Sequence, residues 1–164
     1  MTRIEDSGLL QPRLRAVVEY AIQVEVAALL DALRLPWLHV PNERHCSPAL
    51  GARLKRQGVK AGIPDVLICR AHRVGPADGS HNIVLPPNRH GLAIELKAPG
   101  NYPTPEQRAW LERLEAEGWT TAVCRSLSQV VDVLHDCDLL RHPESGKPLD
   151  IDNARHGFIT EARS

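Results

Sequence analysis

The feature that most constrains this chain is a pair of short apolar runs that each carry a carboxylate. One is Asp65-Val66-Leu67-Ile68-Cys69, entered through Gly62-Ile63-Pro64; the other is Ala93-Ile94-Glu95-Leu96-Lys97. In the second, strand alternation sends Ala93, Glu95 and Lys97 to one face and Ile94 and Leu96 to the other, which makes Glu95 and Lys97 neighbours. The first has no helical period and is aliphatic and β-branched, as a buried strand is. If the two strands pair, Asp65 and Glu95 can stand side by side. Two carboxylates about 4 Å apart repel by roughly 4 kcal/mol at an effective dielectric of about 20, so positive charge belongs between them. Lys97 supplies one such charge, and a divalent ion is the natural second. Hard oxygen donors without a nearby Cys or His favour Mg2+ or Mn2+ over Zn2+. Each run also has an ordinary reading: Asp after Pro starts many turns, and Glu-x-Lys on an exposed strand is a solvated ion pair worth little.

Around these runs the remaining pattern predicts an α/β arrangement. A helix is expected from Leu9 to Arg34, with Leu14, Val17, Val18, Ala21, Ile22, Leu29 and Leu33 inward and Pro36 as its stop. Glu19 and Gln23 share one face of it, and Glu25 lies nearer the apolar side. A short strand, Trp37 to Val40, precedes a helix capped by Ser47 and ended at Gly58. Ala71 to His90, with Gly75, Pro76, Gly79, Pro86 and Pro87, reads as a loop or irregular hairpin with a strand piece at Asn82-Ile83-Val84-Leu85. His72, His81 and His90 lie in or beside it, too widely spaced for a strong zinc signal. Thr104 as N-cap, Pro105 at the first helical position and Gln107 at the third mark a firm helix start, with Trp110, Leu111 and Leu114 inward and Gly118 as its end. A strand at Thr120 to Cys124 and a helix from Ser126 to His135 follow. The strand, helix, strand order implies a right-handed parallel crossover beside an antiparallel centre, hence a mixed sheet flanked by helices.

The 164 residues, 43% of them apolar, suit one domain with a real core. We expect that domain over residues 1–138, its core about 9–138, with 139–164 as a tail lacking periodicity: a partly ordered arm or a partner contact. No apolar run is long enough to span a membrane, and the polar, acidic N-terminus is unlike a signal peptide. A cytoplasmic setting is expected. Cys46, Cys69, Cys124 and Cys137 have no metal-type spacing, so reduced, buried thiols are expected. The net charge of zero hides a dipolar chain. Arg44, Arg53, Lys55, Arg56, Lys60, Arg70 and Arg73 crowd the region around Asp65, whereas acids dominate after Lys97. Cations beside a metal-binding carboxylate suit a phosphodiester substrate. Any one of them alone could equally be a solvated helix residue. Only three Trp, two Tyr and one Phe are present, too few for a base-stacking platform, so duplex or branched DNA is the better fit.

The ordered set Gly62-Ile63-Pro64-Asp65, Glu95-Leu96-Lys97 and Thr104-Pro105-Glu106-Gln107 resembles the VRR-NUC family of the PD-(D/E)XK nuclease superfamily. Glu19-x-x-Ile22-Gln23, Val40-Pro41-Asn42 and Gly58-Val59-Lys60-Ala61-Gly62 extend the likeness, which spans roughly Glu19 to Leu134. The interval between Asp65 and Glu95 is longer than the family's usual short hairpin. The resemblance implies a restriction-endonuclease-like core and a Mg2+- or Mn2+-dependent endodeoxyribonuclease. It implies catalytic roles for Asp65, Glu95, Lys97, Gln107 and Glu19, with metal held by Asp65, Glu95, Glu19 and the backbone carbonyl of Leu96. The basic residues Arg44, Arg53, Lys55, Arg56 and Lys60 then become the DNA-backbone contacts. By analogy with stand-alone members, the expected activity is Holliday-junction resolution in DNA repair by a homodimer. A flap or nick-directed nuclease, a nuclease subunit of a repair or restriction assembly, and a non-catalytic DNA-binding module are the alternatives.

Overall fold

The computed structural model of the chain describes residues 12–41, 47–75 and 85–162. Arg44, Cys46 and His81, with Asn82 to Val84 of the strand piece expected at Asn82 to Leu85, lie outside the described residues.

Four strands form one mixed sheet in the order β1 (Trp37–His39), β2 (Val66–Ile68), β3 (Leu92–Leu96), β4 (Thr120–Cys124). β1 and β2 pair antiparallel, as do β2 and β3, while β3 and β4 are parallel. The helix between the parallel strands, α3 (Pro105–Ala116), makes the crossover that a parallel pair requires. β3 is buried along its whole length, as a strand with neighbours on both sides and helices packed against it must be.

Two helices build the main core on this sheet. From α1 (Pro12–Ala32) come Ile22, Val26, Leu29 and Leu30; from α4 (Leu127–Asp136) come Val130, Val131 and Leu134, and both sets meet Val66, Ile68, Leu92 and Ile94. Ser126 caps α4 by accepting from the Gln129 N–H. The 3.6-residue period locates the inward face of α4, although Val133 is only partly buried.

The first half of α1 departs from expectation. Leu14 and Val17 are 48% and 63% exposed, and Ala21 is exposed as well. The helix is apolar on two faces, and a repeat of three and four residues cannot tell which one the sheet covers. Ile22, Val26, Leu29, Leu30 and Leu33 take the core face, leaving Leu14, Val17, Ala21, Val24 and Ala28 as a second, outward stripe. Glu25, which the sequence places near the apolar side, is exposed. Cys69, expected to be buried, is exposed because Val66 and Ile68 take the inward positions of β2 and Cys69 falls on the opposite face. Cys124 and Cys137 are buried, free thiols, and burial pushes them up to about 12 and about 11.

The segment after 138 folds back against the core. Leu139, Leu140 and Leu149 are buried, and a short helix, α5 (Ile151–Arg155), packs on α4 through Ala154 and the Arg155–Asp132 ion pair at 2.6 Å. Its anchors are too irregularly spaced to give a period, which is why the sequence read as an arm. Among the described residues no helix is long and apolar enough to cross a membrane.

Candidate active site

The register Val66↔Ile94, continued by one residue, sets Asp65 opposite Glu95. Residues opposite one another in an antiparallel pair share a face, so the two carboxylates converge from the first turn-to-strand step of β2 and the penultimate residue of β3. The Leu96 N–H donates to Asp65 Oδ2 at 2.8 Å and fastens one carboxylate to the other strand.

Glu95 is fully buried and Lys97 is 6% exposed. Lys97 Nζ sits 2.6 Å from Glu95 Oε1. The Gln107 Nε2 amide donates to the same oxygen. Gln107 is the third residue of α3, and its own Oε1 accepts from the Thr104 N–H at 2.9 Å while its N–H donates to Thr104 Oγ1. The capping box therefore fixes which way the amide faces: the oxygen is used at the cap, so the NH2 group is left for Glu95. One side chain thus serves both the helix cap and the Glu95 carboxylate.

The loop before Asp65 is held against the same helix. Gly62 has φ +80°, and a Cβ there would lie 2.9 Å from the Glu106 backbone and 3.0 Å from the Gln107 nitrogen. Only glycine both adopts that conformation readily and lets the chain approach so closely. Trp110 Nε1 closes the contact by donating to the Ala61 carbonyl at 2.9 Å. Thus Gly62 in Gly-Ile-Pro-Asp is a docking residue: it brings Asp65 and Gln107 to one place.

Glu19 arrives from α1. Its Oε1 accepts from the Ala98 N–H at 2.8 Å and from Asn101 Nδ2 at 3.2 Å, while Arg125 Nη2 holds the Asn101 carbonyl at 2.8 Å. It is close enough for its charge to act on Asp65, Glu95 and Lys97. Asn101, Arg125 and His39 were not singled out as site residues from the sequence. His39, whose Nδ1 lies 3.0 Å from the Asp65 carbonyl, adds positive character beside Asp65. A polar residue just past a strand end was the only signal available for Asn101. Among the described residues Gln23 makes no polar contact. His72 bonds Arg70 and Thr120, and His90 is exposed and lies against Gly118, so these two histidines share no site.

The electrostatics are those of a crowded anionic site. Burial, then the Asp65 charge, pushes the Glu95 carboxyl up to about 7 against the opposing pull of Lys97. Burial also raises Asp65, opposed by the Leu96 N–H and by Lys97. For Lys97 burial works to lower the value, but the hydrogen bond to Glu95 and the surrounding carboxylates outweigh it and hold the group above its ordinary range. Among the described residues no three His, Cys, Asp or Glu side chains form a ready-made metal cluster. The facing donors are two carboxylates, and one atom among them is orphaned: Glu95 Oε2 is buried without a hydrogen-bond partner. A buried, unpartnered carboxylate oxygen is costly and fits a cation ligand. The donor set, oxygen only, is of the kind that takes Mg2+ or Mn2+.

With this geometry in view, the comparisons with known proteins are informative. A family model for the VRR-NUC domain matches residues 18–128. The chain belongs to the VRR-NUC family. A solved structure named VRR_NUC domain protein is similar over 73% of this chain and 87% of its own, with 27% identity and a TM-score of 0.53. No curated protein matches. The mixed sheet with flanking helices is the restriction-endonuclease-like α/β core that this family membership carries, and the domain is of the nuclease type.

The raised carboxylates give a pH dependence with a definite sign. Between about 4.5 and about 7 the folded protein keeps a proton on Glu95 that the unfolded chain has released, so this contribution to stability is full below that window and declines as pH rises through it. In EDTA, the unfolding free energy obtained from urea titration should fall from pH 5 to pH 8, by on the order of 3 kcal/mol at most from this group. The slope should be shallower in Glu95→Gln; an equal slope in both proteins would show that Glu95 is not the titrating group.

Proposed function

We propose that this chain is a metal-dependent endodeoxyribonuclease that hydrolyses phosphodiester bonds in branched DNA as a homodimer, in the manner of a Holliday-junction resolvase, within DNA repair in the cytoplasm. The observation that carries the reading is the Asp65–Glu95–Lys97 group, Glu95 and Lys97 buried and Asp65 half-buried, with its orphaned Glu95 Oε2.

Asp65, Glu95 and the Leu96 carbonyl are the residues that would hold Mg2+, or Mn2+ in its place, with Glu19 acting directly or through water. Such an ion, when bound, supplies a water of lowered pKa and neutralises charge on the phosphate. Lys97, held above its ordinary range, is an ammonium at neutral pH. In that state it is a hydrogen-bond donor that stabilises developing negative charge and orients a water; it is not a base. Gln107, locked by its cap, fixes the Glu95 carboxylate on the Lys97 side. Without that amide Glu95 Oε1 would keep only Lys97 as a partner among the described residues. Glu19, tied to the Ala98 N–H just beyond Lys97, braces the strand end.

For the substrate, α2 (Pro48–Arg56) supports a backbone-reading surface. It buries no residue, has no acid in its first turn and carries exposed Arg53, Lys55 and Arg56, followed by exposed Lys60. A short helix that contributes nothing to the core and ends in cations is suited to phosphates.

A homodimer is supported by the outward face of α1. Leu14, Val17, Ala21, Val24 and Ala28 recur at intervals of three and four residues, as a helix-pairing seam does, and all are exposed. Arg13 lies in the first turn and Asp31 in the last, the reverse of what the helix dipole favours. An antiparallel second copy brings Arg13 toward Asp31 of the other helix and offsets both. Two-fold pairing also supplies the two active sites that symmetric cleavage of a four-way junction needs.

Two experiments test this reading. With Mg2+ or Mn2+, the protein should introduce paired symmetric nicks in a labelled four-way junction, and EDTA, Asp65→Ala or Lys97→Ala should lower the rate at least ~100-fold. Cleavage confined to flap, nicked or linear DNA would reject the junction substrate, and full activity of the variants would reject the site. Light scattering should give a dimer for the intact protein and a monomer of unchanged circular dichroism for Val17→Glu, whereas a monomeric intact protein would reject the seam.

A further inference from the structure

The segment that leaves Lys97 for α3 is fastened at nearly every step. Ala98-Pro99-Gly100-Asn101 is a turn closed by the Asn101 N–H on the Ala98 carbonyl at 3.0 Å, and Pro99 followed by Gly100 at φ +76° is the type II pattern. Glu19 holds both ends of that turn, through the Ala98 N–H and the Asn101 side-chain amide. Past Tyr102, the Pro103 carbonyl accepts from Arg108 Nη1 at 2.7 Å and Thr104 is tied into the cap of α3. Tyr102 thus stands between two anchored stretches, yet it is itself 74% exposed. The backbone on either side is fixed while the ring is in water.

Among the described residues the ring meets Arg125, whose guanidinium carbon lies 5.5 Å from the ring centroid. The same guanidinium holds the Asn101 carbonyl. The register Leu96↔Cys124, continued by one residue, sets Arg125 beside Lys97, at the end of the sheet that carries Glu95. Arg125 is half-buried, and among the described residues no carboxylate lies within ion-pair distance of it. A cation over one face of an aromatic ring holds the ring in place. The opposite face is left for a second flat group.

We propose that this open face of Tyr102 stacks on one unpaired nucleobase next to the phosphate that the carboxylate site works on, with Arg125 as the positioning residue behind the ring. The inference rests on the reading of the site as a DNA nuclease and names the feature of branched DNA that it recognises. In continuous duplex each base is covered on both faces by its neighbours, and exposing one costs unstacking; at a branch point or single-stranded arm a face is already open. Every base has such a face, so the contact favours unpaired structure without reading sequence. A chain with only two Tyr, three Trp and one Phe has no platform to track a strand, and a single ring suits a single base.

The probe is a labelled DNA duplex with a short single-stranded arm, built either of thymidine or of abasic nucleotides, titrated against the intact protein by anisotropy in EDTA so that no strand is cut. The abasic arm keeps every phosphate, so the difference between the two arms isolates the bases. The wild type should bind the thymidine arm about tenfold more tightly. Tyr102→Ala should lose that preference and bind the abasic arm as the wild type does, while Tyr102→Phe should keep it. Phe158→Ala, which removes an exposed ring elsewhere on the surface, should leave it unchanged. Equal affinity of the wild type for both arms, binding to neither, or a preference that survives Tyr102→Ala would overturn the proposal. Cleavage with Mg2+ is scored separately: base preference without cleavage keeps the stacking contact and rejects the nuclease reading, and cleavage without base preference does the reverse.

Discussion

The fully buried carboxylate of Glu95 is the interaction on which this structure turns. A strand buried on both faces tolerates an acid only if something answers its charge, and one oxygen is answered twice, by Lys97 and by Gln107. Each answer comes from a different structural source. Lys97 is there because alternation returns a side chain to the same face two residues on. Gln107 is there because a capping box fixes the amide and Gly62 lets the Asp65 loop sit against the helix start. Asp65 adds a second negative charge opposite, and the unanswered Glu95 Oε2 keeps the group short of neutrality. Strand register, helix cap and glycine turn thus serve one small volume.

Much of this was legible in the residues. Alternation gave the Glu95–Lys97 contact, and Ser47, Thr104 and Ser126 each cap a helix as their side chains dictate. The mixed sheet follows from strand, helix, strand after an antiparallel start. Glu19 was different: on the helix pattern alone it is one polar residue among several, and only the family resemblance raised it. The structure gives it defined partners in Ala98 and Asn101. The residues that escaped did so for a common reason. The proximity of Gly62 to α3, the choice of covered face on α1, the outward turn of Cys69 and the packing of Leu149 and Ala154 depend on tertiary neighbours, which no local period encodes.

Distinct chemical surfaces occupy separate parts of a small domain. The carboxylate group lies at one end of the central strands, while the cationic helix α2 and the outward stripe of α1 are both unburdened by core packing. Rigid elements carry the candidate site, since every side chain around Glu95 is fastened by backbone pairing, a cap or a hydrogen bond. Such preorganisation lets a charged site form before any ligand arrives, and its electrostatic strain is what a cation would relieve.

The most direct test is therefore ion binding itself. Mn2+ titrated calorimetrically into the metal-free protein at pH 8, where Glu95 is ionised, should bind at Asp65 and Glu95 and raise the melting temperature. Asp65→Asn and Glu95→Gln should each lose that binding while remaining folded. A wild-type protein that binds no Mn2+, or variants that bind it undiminished, would contradict the assignment of these carboxylates as a cation site.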